Sequence, residues 1–455
     1  MRRLAPVVFA GLLVAACGTA VGTPPAAALA APSATAAQTV VPVGPSPTAT
    51  PGGPAPISAG AVPAAGVLYV WGADDGIYRY DGATGALTRA FGMSSLAREG
   101  SDGPYVLGRH GGLTLLRWDG SIEQQRCGSG SYAAISSRGE CAFTGAGVDT
   151  AVYVDHGNGA QLLLPADWSA SGFVWSPNGA ELAIIRTAVK PEPVRAHQTL
   201  WLLDRQGALT TLYDSASATS FLFGVKWSTD RRVSFWESAT TSASLAADGV
   251  LTSLHVVNVD TRVAIDLGTT LQDRDWAQWS DDGRLAYVSG GDRATWHLKQ
   301  IKVLLPDGHV ETVAGDGALH PGPGSTSAVA PVWQAERGIP ERLAWIEGPA
   351  AEIDASSNYF RGIGPTARRV AVLAPDVRID CPGLVTEAVR VSADGRSALL
   401  LCRVPAVEHH ALQLWYVPLG GTPRPLITGL GDLGFGYYGQ QPSVLSITAW
   451  SLADR

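Results

Sequence analysis

From Val67 onward the chain alternates short apolar runs with polar turns. Along the runs the apolar positions recur with a period of two, which is the signature of strands and not of helices. Asn178-Gly179, Asp248-Gly249, Asp282-Gly283, Asp307-Gly308 and Asp394-Gly395 lie between runs, and such dipeptides accept the positive φ of tight hairpin turns. No sustained helical period interrupts the pattern. The expected domain is all-β.

The pattern also repeats. Val174-Trp175-Ser176-Pro177-Asn178-Gly179 precedes the apolar run Leu182-Ala183-Ile184-Ile185. Lys226-Trp227-Ser228-Thr229-Asp230 precedes Val233-Ser234-Phe235-Trp236, and Gln278-Trp279-Ser280-Asp281-Asp282-Gly283 precedes Leu285-Ala286-Tyr287-Val288. Trp175, Trp227, Trp279 and Trp333 stand 52, 52 and 54 residues apart. Weaker copies begin at Ile135-Ser136 and Val391-Ser392. A period of roughly 40–60 residues holding four strands is one propeller blade. The reason is burial: a four-stranded sheet cannot cover both its faces, so neighbouring blades must stack. The tryptophans are expected to pack between blades.

These repeats resemble those of TolB-type (WD40-like, PD40-type) propellers, which read Trp/Phe-Ser-Pro-Asp-Gly followed by an apolar strand and a second hairpin. Trp175 to Ile185 and Trp279 to Val288 match closely, whereas Thr229 and Gln334 depart from the motif. The resemblance implies a fold and little chemistry, because such repeats host many functions.

Copies near residues 95, 135, 175, 227, 279, 333 and 391 and one composite blade make eight, with seven left open by the poor copy near Ser95. The composite blade joins Val67-Leu68-Tyr69-Val70-Trp71, which reads as the middle of a repeat, to Ile447-Thr448-Ala449-Trp450-Ser451, which reads as the start of one. The C-terminal strand would then pair with the N-terminal blade, closing a single propeller over residues 67–455 and leaving no open edge.

The first 66 residues read differently. Met1-Arg2-Arg3 is a short positive region, and Leu4 to Ala16 is an uncharged apolar run of 13 residues. A membrane span needs about 20, so the run suits a signal peptide of residues 1–16. It ends in Leu13-Val14-Ala15-Ala16-Cys17, which resembles the bacterial lipobox. That resemblance implies a lipoprotein in which Cys17 is the lipidated residue, carrying diacylglycerol and fatty acid such as palmitate. An ordinary secretory signal with an incidental Cys17 is the alternative. Gly18 to Gly66 holds no charged and no aromatic residue and ten prolines. Such a segment cannot bury enough apolar surface to offset its ordering entropy. Residues 17–66 are expected to be a disordered, lipid-anchored tether, and the chain is placed on the extracytoplasmic face of a cell membrane.

Net charge is −7, and −9 once Arg2 and Arg3 leave with the leader. With no basic cluster, nucleic acid is excluded as a partner. Four of the five cysteines remain after Cys17. In an exported domain they are expected to pair. Cys381 with Cys402 is favoured because they fall on neighbouring parts of one hairpin, leaving Cys127 with Cys141.

No nucleophile elbow, phosphate loop, His-Glu-x-x-His or Cys-x-x-Cys motif is present, and no cofactor or metal is expected. Glu408-His409-His410 makes a poor chelate, since adjacent strand residues point to opposite faces. Two groups are candidate binding residues. Asp273, Arg274 and Asp275 precede an inner strand and would sit at the mouth of the central channel. Asp354 and Tyr359, with Glu347, Glu352, Asn358 and Phe360 nearby, belong to a long insertion in the Trp333 repeat, and long insertions in compact domains are often functional. Surface charge and a variable loop are the plainer readings of each. The expected function is a non-enzymatic binding or scaffold module for an envelope protein, peptide or glycan. The alternative is an envelope hydrolase or lyase with its site at the channel mouth.

Overall fold

The computed structural model describes residues 55–56 and, with interruptions between strands, 67–430. The chain divides into Met1–Ala49 and Thr50–Arg455, and the first unit lies outside the described residues. The second is all-β in a propeller arrangement. Among the described residues its strands form seven antiparallel sheets.

The first sheet has the strands Val67–Trp71, Ile77–Asp81 and Ala86–Phe91. The second runs from Leu96–Arg98 to Ile122–Gln125, and the third from Ala133–Ile135 through Cys141–Thr144 and Val152–Asp155 to Ala160–Leu164. The fourth contains Trp168–Trp175, Leu182–Ala188, Gln198–Leu203 and Leu209–Asp214. The fifth is eight-stranded. Its first half is Phe221–Trp227, Arg232–Ser238, Thr252–Asn258 and Ala264–Thr270; its second is Ala277–Trp279, Leu285–Ser289, Gln300–Leu304 and Val310–Ala314. The sixth holds Thr326–Glu336, Ile339–Pro349, Val370–Leu373 and Val377–Ile379. The seventh holds Leu384–Val391, Ser397–Arg403, Leu412–Pro418 and Arg424–Thr428, with Ala55–Pro56 as a fifth strand.

The strands behave as the period of two requires, but with both faces buried. In Leu182–Ala188, Leu182 and Ile184 pack into a core shared with the third sheet, while Ala183 and Ile185 pack into one shared with the fifth. Leu285 and Tyr287 face the first half of the fifth sheet, and Ala286 and Val288 face the sixth. Leu399 and Leu401 face the first sheet, and Ala398 and Leu400 face the sixth. Each fully buried Leu or Ile contributes about 1.5–3 kcal/mol, so the interfaces between sheets carry the stability.

The repeat tryptophans join consecutive sheets through polar contacts. Trp175 Nε1 donates to the Ala134 carbonyl at 3.1 Å, Trp227 to Val174 at 2.8 Å and Trp333 to Gln278 at 2.9 Å. In each case the acceptor belongs to the preceding repeat. Trp279 instead donates to Ser234 Oγ at 3.0 Å. The serine after each Trp position is buried: Ser136, Ser176, Ser228 and Ser280. Its hydroxyl accepts backbone N–H groups of its own turn, as from Ala180 and Glu181 to Ser176 and from Arg284 to Ser280. It also donates to the turn carboxylate or amide, as in Ser280 to Asp282 at 2.6 Å and Ser176 to Asn178 at 2.8 Å. Where the turn glycine is replaced by Arg231, φ remains positive at 63°. The strained residue pairs with Glu181 of the preceding repeat at 2.5 Å and with Asp260 at 3.0 Å.

Three expectations need correction or restriction. Eight separate four-stranded blades are not found: five of the seven sheets stand alone with four or five strands. The Trp227 and Trp279 repeats are fused through one pair, Thr270 with Ser289. The strand expected at 447–451, including Trp450, lies outside the described residues, and the first sheet has three strands. The first and last sheets do share a core containing Leu68, Val70, Leu399, Leu414 and Leu430, and Gly72 bridges to Leu430. Within the segment expected as tether, Ala55 and Pro56 pair with Thr428 and Ile427.

Two outcomes follow from these contacts. Trp227→Phe removes the hydrogen bond to the Val174 carbonyl and part of the buried ring, so equilibrium urea unfolding should show a loss of about 2–4 kcal/mol. A chain beginning at Ile57 lacks the fifth strand of the last sheet. Its amide exchange should quicken across Arg424–Thr428 and stay unchanged across Leu182–Ala188; equal exchange at both would show that the pairing contributes nothing.

Candidate functional site

A cleft of about 540 Å³ opens between the second half of the fifth sheet and the sixth sheet. Its size falls in the range of about 300–1,000 Å³ usual for ligand clefts. One wall is the outermost strand Val310–Ala314 and the turn that follows. The other wall is built by register. Trp345 pairs with Val372, and Val372 with Arg378, so these three form a row across neighbouring strands. Glu347 lies two residues beyond Trp345, on the same face of its strand.

The polar groups of this second wall are coupled. Arg378 Nη2 lies 2.8 Å from Glu347 Oε1, and Trp345 Nε1 donates to Glu347 Oε2 at 3.4 Å. The Glu347 side chain is 12% exposed and that of Arg378 58% exposed. The glutamate therefore anchors the guanidinium, whose remaining N–H donors face solvent. Opposite, the tight turn Gly315-Asp316-Gly317 has φ of 78° and 64° at its glycines. Asp316 Oδ2 accepts the Thr326 N–H at 3.1 Å. The arrangement offers an aromatic and aliphatic floor, hydroxyls at Thr312 and Thr326, and one outward cation.

A second polar cluster lies between the fourth and fifth sheets. Tyr213 donates to Glu237 Oε2 at 2.5 Å, and His255 Nε2 lies 3.4 Å from the same oxygen. Phe235 stacks on His255 and touches Tyr213. Burial first, then the hydrogen bond to Glu237 and its charge, push the Tyr213 phenol well above its ordinary range. Tyr213 belongs to the fourth sheet and Glu237 and His255 to the fifth, so these contacts link the two sheets.

The sequence-nominated positions fall as follows. Cys17, Cys127, Cys381, Asp273, Arg274, Asp275, Asp354 and Tyr359 lie outside the described residues, as do Glu408-His409-His410. Cys141 and Cys402 are buried, in the third and seventh sheets. Glu347, grouped with the insertion, instead lies within the strand Ile339–Pro349, paired with Val370. Arg378, Trp345 and Thr312 were not singled out by sequence. Alternation could have put Trp345 and Glu347 on one face, but only pairing brings Arg378 to them. No group of three or more His, Cys, Asp or Glu placed to hold a metal occurs among the described residues.

No family model matches the sequence, and no curated protein matches it. Solved structures do. The dipeptidyl peptidase 4 of Porphyromonas gingivalis superposes with a TM-score of 0.51 at 11% identity, over 82% of this chain and 60% of that one. That likeness shows the β-propeller fold. A putative dipeptidyl aminopeptidase IV from Bacteroides ovatus gives 0.45 at 11% identity, over 81% and 60% of the two chains. TolB from Acinetobacter baumannii gives 0.35 at 12%, over 54% and 62%. The chain thus spans about three-fifths of the length of each of the two peptidase structures.

The tyrosine link carries a pH dependence. A phenol whose folded pKa is raised above its unfolded value of about 10 stabilises the fold below that pH. The contribution is lost as pH rises above about 10. Tyr213→Phe should therefore show a shallower alkaline fall in stability than the parent chain in urea titrations between pH 9 and 11. Glu237→Ala removes the shared acceptor and should cost about 1–3 kcal/mol at pH 7.

Proposed function

We propose that this chain is a lipid-anchored, extracytoplasmic β-propeller that binds a protein, peptide or glycan at the cell envelope, and that the cleft between the fifth and sixth sheets is a place where it binds. The observation carrying this reading is the cleft itself, with its Trp345 and Val372 floor and its Glu347-anchored Arg378. A few convergent polar groups above an apolar floor are the usual make-up of a binding site. The anchor is proposed from the Leu13-Val14-Ala15-Ala16-Cys17 sequence, and two or three acyl chains on Cys17 would hold the chain stably.

The finer architecture belongs to the same proposal. Disulfides Cys127–Cys141 and Cys381–Cys402 are proposed as well, because four cysteines left in an exported domain favour pairing.

Two measurements test the reading. Cys17→Ser should abolish incorporation of a clickable palmitate analogue and release the domain from membranes; unchanged labelling would remove the anchor. A photo-crosslinking amino acid in place of Val313, in the full chain in intact cells, should give discrete adducts that the same group at Leu162 does not. Identical adduct patterns at the two positions would remove the cleft as the binding place.

A further inference from the structure

We infer that the cleft takes an extended peptide segment, added as a strand beside Val310–Ala314, with a carboxylate at the end that meets Arg378. This rests on the reading of the cleft as a binding place and names the class of its occupant.

Strand addition is argued from the edge. Val310–Ala314 is the last strand of its sheet among the described residues. Glu311, Thr312 and Val313 are exposed along it, with Val313 39% exposed. Edge strands are usually blunted by charged side chains, proline or a covering segment; this one carries a single exposed charge, Glu311, and no proline or lysine. The same molecule covers an equivalent edge in this way. The outermost strand of the last sheet, Arg424–Thr428, is extended by Ala55–Pro56 in antiparallel register. An added strand satisfies the outward N–H and C=O groups of an edge through main-chain bonds, and side-chain contacts select the sequence.

The side-chain contacts are supplied by the opposing wall. Trp345 and Val372 form an apolar floor suited to a small aliphatic side chain. Thr312 and Thr326 can hydrogen-bond a neighbouring hydroxyl. Arg378 is oriented by Glu347 and more than half exposed. A guanidinium with free N–H donors recognises a carboxylate in preference to a neutral group.

The test uses the intact domain with disulfides oxidised and four probes. The first is acetyl-Ser-Val-Thr-Val with a free C-terminal carboxylate. The second is its C-terminal amide, the third carries N-methyl groups at alternate peptide nitrogens, and the fourth is maltohexaose. Calorimetry reads affinity, and hydrogen exchange reads protection of residues 310–314. The free-acid peptide should bind and protect Val310–Ala314. Amidation, or Arg378→Ala in the protein, should weaken it about tenfold through loss of one charge-assisted contact. N-methylation should abolish binding on the unaltered protein, which keeps the test independent of how any variant folds. Equal binding of the N-methylated peptide, or binding without protection of 310–314, overturns strand addition. Equal binding of the amide overturns the role of Arg378. Maltohexaose binding while all peptides stay silent overturns the peptide class yet retains the cleft as a binding place. Silence of all four probes overturns the peptide proposal, and the adducts at Val313 then decide the wider reading separately.

Discussion

A four-stranded antiparallel sheet has two faces and cannot bury either by itself. That constraint organises this molecule. Leu182 and Ile184 are covered by one neighbour and Ala183 and Ile185 by the other, and the same division recurs at Leu285 to Val288 and at Ala398 to Leu401. No sheet owns its core. Each interface is shared, so stability is a property of the stack and a weakness in one interface is felt by two sheets.

The polar residues of the repeat serve the same constraint. The buried serine satisfies the N–H groups of its turn, which would otherwise be orphaned beside the core. The tryptophan reaches the backbone of the sheet before it. Arg231 keeps a left-handed backbone at some cost, offset by pairing across to Glu181. Tyr213, Glu237 and His255 do comparable work between the fourth and fifth sheets. Polar groups that would look functional in isolation are thus engaged in holding sheets together. The cleft differs because its cation is held from beneath and left open above.

Much of the fold was legible because its cause is local. The period of two, the turn dipeptides and the spacing of Trp175, Trp227 and Trp279 each reflect one repeat meeting the next. The site was far less legible. Asp273 to Asp275, Asp354 and Tyr359 were nominated from their place in loops, and they lie outside the described residues. Trp345 and Glu347 are two residues apart on one strand, but a long insertion separates them from Arg378, and nothing in its local sequence marks Arg378 as their partner.

Sequence by itself determined the all-β class, the repeating unit, the turn chemistry and the net charge. These depend on residues a few positions apart, where backbone preference and side-chain alternation act directly. Tertiary structure alone decided which face of each strand meets which neighbour, that two repeats join through Thr270 and Ser289, that Ala55–Pro56 extends the last sheet, and that Arg378 stands over Glu347. Those outcomes depend on strand register and on the gap between sheets, which are set by packing across the whole stack and leave no mark on any one stretch of chain.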